Sequence, residues 1–122
     1  MRAIVGTSVQ AVIDTPRAGE VESTFTIAGW AIDQAARTGT GIDAVHVWAY
    51  PAAGGEPIFL GVANYGDVRA DVAATLGEQF GASSFSLVVN GTLAAGDYQI
   101  VVYPHSAVAG DFRAKVVRVV IR

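Results

Sequence analysis

The sequence predicts an all-β fold, a single antiparallel β-sandwich of seven to eight strands spanning residues 1–122. Three observations lead there. Short runs rich in Val, Ile, Phe, Tyr and Trp recur along the chain. Gly, Pro, Asp and Ser punctuate them at sandwich-like intervals. Within the runs, apolar and polar residues alternate with period two, the pattern of a strand with one buried face. A small barrel would use the same signals. The chain has no internal repeat, domain linker or long amphipathic helix.

The elements follow in order. Residues 3–5 (AIV) and 9–13 (VQAVI) are the first strand candidates, with residues 1–14 the less certain N-terminal strand or extension. In residues 21–33 (VESTFTIAGWAID), Phe25 and Ile27 alternate with Thr24 and Thr26, and Trp30 is expected in the core or capping its edge. Residues 34–41 read as a loop. Residues 42–50 (IDAVHVWAY) put Val45, Val47 and Ala49 on one face and His46, Trp48 and Tyr50 on the other. A turn at 51–57 leads to a strand at 58–65 (IFLGVANY). Residues 67–77 are less β-like, and Asp67 is placed to cap a short helical turn. Residues 84–90, 97–104 and 112–121 complete the strands. Pro16, Pro57 and Pro104 are expected at protected edges, because proline removes a ladder donor. The β-prone run 116–121 is a candidate uncovered edge, open to pairing with a second copy.

Composition narrows the function classes. The 122 residues are 52% hydrophobic and 16% charged, enough for a packed core and against a disordered chain. A net charge of −3 argues against nucleic acid as a partner. The basic run 113–118 (RAKVVR) is interrupted by valines, as in a last strand with solvent-facing charges. The absence of cysteine excludes disulfides and thiol chemistry and leaves the redox compartment open. No apolar run approaches membrane-spanning length, so no membrane insertion is expected. Residues 1–16 do not read as a signal peptide, their apolar part being short and broken. Either the protein is not exported, or this is a mature domain of a longer precursor.

The segments 25–33 (FTIAGWAID), 41–50 (GIDAVHVWAY) and 60–77 (LGVANYGDVRADVAATLG) together resemble an immunoglobulin-like β-sandwich module of large bacterial secreted and cell-surface proteins. Residues 84–91 and 97–110 extend the resemblance, which covers roughly Thr15 to Ile121. Related modules usually read Arg-Pro-Asp-Val where this chain has 69–72 (RADV), with Ala70 in the proline position. The resemblance implies an extracellular, non-catalytic structural, adhesion or accessory module. Its partners would be neighbouring domains of a larger polypeptide or a surface protein. The alternative is a carbohydrate-binding module. Fold alone does not choose between them.

The resemblance also makes residues 62–73 (VANYGDVRADVA) a crossover loop with an architectural role. Arg69 is expected near Asp67 or Asp71, in charge-assisted hydrogen bonds. Tyr65 is expected to pack its ring and bond through its hydroxyl. Gly66 is expected to take a backbone state closed to other residues.

The strongest ligand candidates are Trp48, Tyr50 and Tyr103, which would form a platform for a glycan or protein if exposed on one sheet face. The same rings would also serve as packing against residues 34–41 or 67–77. The turn aspartates, Asp33, Asp43, Asp67, Asp71, Asp97 and Asp111, fit backbone-bonding roles. No spacing among them demands a catalytic pair or a calcium loop. His46 and His105 are expected on neighbouring segments, too few ligands for structural zinc. Ser106 and His105 are adjacent on a strand and point apart, a poor geometry for nucleophilic catalysis. The triplet 90–92 (NGT) matches a glycosylation acceptor and equally a turn. Lys115 is the single lysine and has no visible partner spacing for an isopeptide bond. Residues 36–41 (ARTGTG) lack the lysine of a phosphate-binding loop. No catalytic residue, metal or cofactor is predicted.

Overall fold

Alternation fixes the faces of the central strands. In the computed structural model, which describes residues 8–122, β4 (Ile42–Pro51) buries Val45, Val47 and Ala49 completely. His46, Trp48 and Tyr50 lie half-buried on its other face. In β8 (Gly96–Ser106), Tyr98, Ile100, Val102, Pro104 and Ser106 point inward, and Gln99, Tyr103 and His105 point outward. The candidate strand at residues 3–5 lies outside the described residues.

The described residues form an all-β, sandwich-like fold of two sheets. One sheet has the order β1 (Val9–Thr15), β3 (Thr24–Asp33), β7 (Ser84–Asn90) and β6 (Asn64–Asp67), all antiparallel. The other has the order β2 (Gly19–Val21), β10 (Lys115–Ile121), β8, β4 and β5 (Ile58–Val62), with the short β9 (Asp111–Phe112) also paired to β8. Ile27, Phe85, Val89, Ile100, Val119 and Ile121 fill the space between the sheets. Gly29 is required where β1 crosses β3, because a Cβ there would sit 1.8 Å from the carbonyl oxygen of Val12.

Among the described residues the strand count is ten rather than seven to eight, because three expected strands divide: two change sheet midway, and 112–121 breaks into β9 and β10. The run 21–33 divides at the exposed Glu22 and Ser23, with β2 before them and β3 after. The run 58–65 divides at buried Ala63, whose amide donates to the Val45 carbonyl at 2.8 Å. A segment crossing between layers keeps its apolar texture while its partners change, so the pattern reads as one strand. The fold is also not wholly antiparallel. β2 runs parallel to β10, from Gly19 against Val119 to Val21 against Ile121.

That pairing corrects a second expectation. β8 pairs along the whole of β10, and β2 covers residues 119–121 on the other side, so the expected outer edge shrinks to residues 116–118. Pro104 is not at an edge but in central β8. The Arg113 amide reaches its carbonyl at 3.0 Å, so its missing N–H falls on that same side, in the gap between β9 and β10.

Trp30 lies outside the inter-sheet core. It shares the outer face of β3 with Ile32, where α1 (Ala70–Leu76) and a 3₁₀ turn (Glu78–Phe80) cover both. Val72, Leu76 and Phe80 supply the apolar side of that cover. Asp67 does not cap the helix. It pairs with Ser84 at the end of β6, and Arg69 holds the N-cap position without a side-chain cap bond.

The two sheets set the poles of the molecule. Val9 pairs with Asp33 at one pole, and Ile121 pairs with Gly96 at the other. Asp33 also meets Ser106, so the first pole is shared by both sheets.

Candidate functional site

The outer face of the β2-β10-β8-β4-β5 sheet gathers most of the aromatic side chains turned away from the core. Register places His46 opposite Tyr103, Trp48 opposite Val101, and Tyr50 opposite Gln99. β5 adds Phe59 beside Trp48, and β9 adds Phe112 beside His105. Trp48 and Phe59 have ring centroids 5.1 Å apart, inclined at 55°. Phe112 stands between the two imidazoles, 4.9 Å from His46 and 4.6 Å from His105. Trp48 is partly engaged in packing, since its cross-strand partner Val101 is only 4% exposed. Phe59 and Phe112 remain 47% and 43% exposed.

The Tyr50 and Tyr103 hydroxyls meet at 2.9 Å, one from each side of the Trp48–Val101 level. Their hydrogen bond, then burial, then the neighbouring charge push the Tyr103 phenol up to about 12. His46, Trp48, Tyr50, Tyr103 and Phe112 line a recess of about 300 Å³. A second recess of about 480 Å³ begins at Tyr50 and continues past Gln99, Asp97 and Arg118. The three aromatics expected as a platform therefore occupy one face. Phe59 and Phe112 are the additions. Phe112 escaped the sequence reading because 112–121 scans as one strand, whereas the chain breaks between β9 and β10 and lifts Phe112 onto the face.

The expected crossover loop at 62–73 is instead strand β6 running into α1, and Tyr65 and Arg69 tie it down. The Tyr65 hydroxyl lies 2.7 Å from the Ala31 carbonyl and 2.6 Å from the Thr40 hydroxyl. The carbonyl only accepts, so the phenol proton goes to Ala31 and Thr40 donates in return. Burial pushes the Tyr65 phenol up to about 12, against the opposing bond with Thr40. Gly66 has φ +113, in the region that favours glycine. Arg69 grips Asp71 with two bonds, Nε to Oδ1 at 3.0 Å and Nη2 to Oδ2 at 2.8 Å. Its Nη1 reaches Asp14 at 2.6 Å. The Arg69 guanidinium is held charged by Asp71 and then Asp14, and Arg69 in turn lowers the Asp71 carboxyl. Asp67, the other expected partner, is not among these bonds. Asp14 comes from β1, too distant in sequence for spacing to reveal.

The remaining polar groups hold loops. Asp33 is fully buried, accepts from the Ala35 amide at 2.9 Å and from the Ser106 hydroxyl at 2.5 Å. Burial alone would raise its carboxyl, but hydrogen bonds from Ser106, Ser8 and Ala35 outweigh that and lower it. Gln79 donates to the carbonyls of Ala36 and Gly39 at 2.7 and 3.0 Å, fastening the loop at 34–41. His105 turns outward to Asp43 at 2.7 Å while Ser106 turns inward, so the two do not meet. Among the described residues, no three His, Cys, Asp or Glu side chains gather as a metal site.

No protein-family model matches the chain. No curated protein matches it either. Among solved structures, T. fusca AA10A is similar in fold, with a TM-score of 0.50 and 12% identity over 87% of this chain. The fibronectin(III)-like modules of Clostridium thermocellum CbhA align over 93% of this chain at 16% identity and a TM-score of 0.47. The chain spans about half of each, 52% and 46% of their lengths. The likeness to AA10A is one of fold alone.

Proposed function

We propose that the chain is a non-catalytic accessory module connecting neighbouring domains of a larger exported polypeptide. One observation carries this reading: the described strands begin at one pole, where Val9 pairs with Asp33, and end at the other, where Ile121 pairs with Gly96. At roughly 3.3 Å per residue, a sandwich this long separates its poles by about 30 Å. Domains attached at the two ends would be held apart rather than side by side.

The polar network supports the same role. Asp33 joins β3 to β8 across the sheets, Tyr65 joins β6 to β3, and Arg69 joins the start of α1 to β1. An active site would instead bring such groups together around a reacting atom. The exported setting follows from the resemblance of residues 25–33, 41–50 and 60–77 to immunoglobulin-like modules of secreted and cell-surface proteins.

Turnover tests the non-catalytic part. Purified chain incubated with chromogenic esters, peptides and glycosides is expected to release no product above buffer. Sustained turnover that disappears in a folded Asp43→Asn or Asp33→Asn variant contradicts the reading.

A further inference from the structure

We propose that the outer aromatic face binds a single chain of a neutral polysaccharide, laid along a track from Phe112 over Tyr50 to Arg118. This goes beyond the connector role, which stands whether or not the face is occupied.

The shape of the face argues for an extended ligand. The recess beside Phe112 and the recess beside Arg118 share Tyr50, so together they form one track along β4 and β8. Their volumes, about 300 and 480 Å³, each reach the range of small-ligand sites. The rings do not share a plane. Of the rings that line the recess, His46 and Phe112 are inclined at 42°, and Phe59, beside Trp48, stands at 55° to Trp48 and 76° to His46. A flat crystalline surface needs coplanar rings. Inclined rings make a trough, which fits one strand of polymer.

The chemistry argues for sugar. A pyranose presents apolar C–H groups on its faces and hydroxyls at its edges. The track alternates ring faces with the Tyr50 and Tyr103 hydroxyls and the Gln99 amide, groups that both donate and accept. Charge argues for a neutral polymer. The recess beside Phe112 is lined by no carboxylate, lysine or arginine, and Asp97 and Arg118 offset one another in the second. A polyanion would find no excess positive charge there.

The test is native affinity electrophoresis through gels containing hydroxyethyl cellulose, galactomannan, arabinoxylan or laminarin, with alginate as the polyanion. Microcrystalline cellulose sedimentation and a proline-rich peptide, measured by calorimetry, are the competing probes. The expected result is retardation by at least one neutral polymer, none by alginate, and no sedimentation with the crystalline solid. Trp48→Ala is expected to weaken binding about tenfold, the scale of one lost ring contact. Tyr103→Phe, which removes a single hydroxyl and keeps the ring, is expected to weaken it a few-fold. Val88→Ser, on the outer face of the other sheet, is expected to leave binding unchanged. The proposal is overturned if no neutral polymer retards the chain, or if alginate retards it equally. It is also overturned if only the crystalline solid or the peptide binds, or if retardation persists undiminished in both Trp48→Ala and Tyr103→Phe.

Discussion

The Ser106 hydroxyl donates to the buried carboxylate of Asp33 at 2.5 Å, bridging β8 of one sheet to β3 of the other. This bond, with the Ala35 amide on the second oxygen, lets a fully buried carboxylate remain ionised. Asp33→Asn is expected to destabilise the fold by about 1.5–3 kcal/mol, the range for hydrogen bonds to charged groups. Urea unfolding checks this. The folded carboxyl titrates below its unfolded value, so its contribution is present above about pH 4 and lost as pH falls through the folded value. The stability gap between the wild type and Asp33→Asn should therefore narrow in acid.

Tyr65 supplies a corresponding test at high pH. Tyr65→Phe removes the bonds to Ala31 and Thr40 while keeping the ring, and is expected to cost about 1–2 kcal/mol. The phenol titrates at about 12 in the folded state, above its usual value. Its contribution is therefore present below about pH 10 and lost as pH rises towards the folded value. Spectrophotometric titration should show late-ionising tyrosines, with one component missing in Tyr65→Phe and another in Tyr103→Phe.

Gly29 tests the contact between β1 and β3. A methyl group there would overlap the Val12 carbonyl, 1.8 Å away, and press on the buried Phe85 ring at 3.0 Å. Gly29→Ala is expected to lower stability by about 3 kcal/mol or more. Limited proteolysis should then cut within β1 first.

Arg69 is a salt-sensitive tie. It joins β1 to the start of α1 through Asp14 and Asp71, and both carboxylates face solvent. Arg69→Ala should destabilise less than Asp33→Asn. The loss should shrink further in high salt, which screens exposed charges. A loss unchanged by salt would point to packing of the Arg69 stem instead.

The sequence made some of this legible and concealed the rest, for physical reasons. Alternation in 42–50 separates Val45, Val47 and Ala49 from His46, Trp48 and Tyr50, because one side of β4 meets the core and the other does not. The sheet changes at Glu22–Ser23 and Ala63 stayed hidden because an apolar run looks alike whichever sheet accepts it. The β2–β10 pairing and the Arg69–Asp14 contact are long-range relationships with no local signature. Trp30, expected in the core or capping its edge, packs on a second apolar cluster, because it shares the alternation of a core strand while helix α1, rather than the facing sheet, covers it. The aromatic face was visible at Trp48, Tyr50 and Tyr103, whereas Phe112 depended on a chain break between β9 and β10 that spacing does not reveal.

The central claim is that the first and last described strands start and finish at opposite poles, and a distance between Gln10 and Arg122 tests it most directly. The chain has no cysteine, so Gln10→Cys with Arg122→Cys gives two unique labelling positions. Pulsed electron resonance between spin labels there should return one narrow distribution centred near 30 Å, the length of a ten-residue strand at about 3.3 Å per residue. A distribution well under half that length would put the ends together and contradict the connector account.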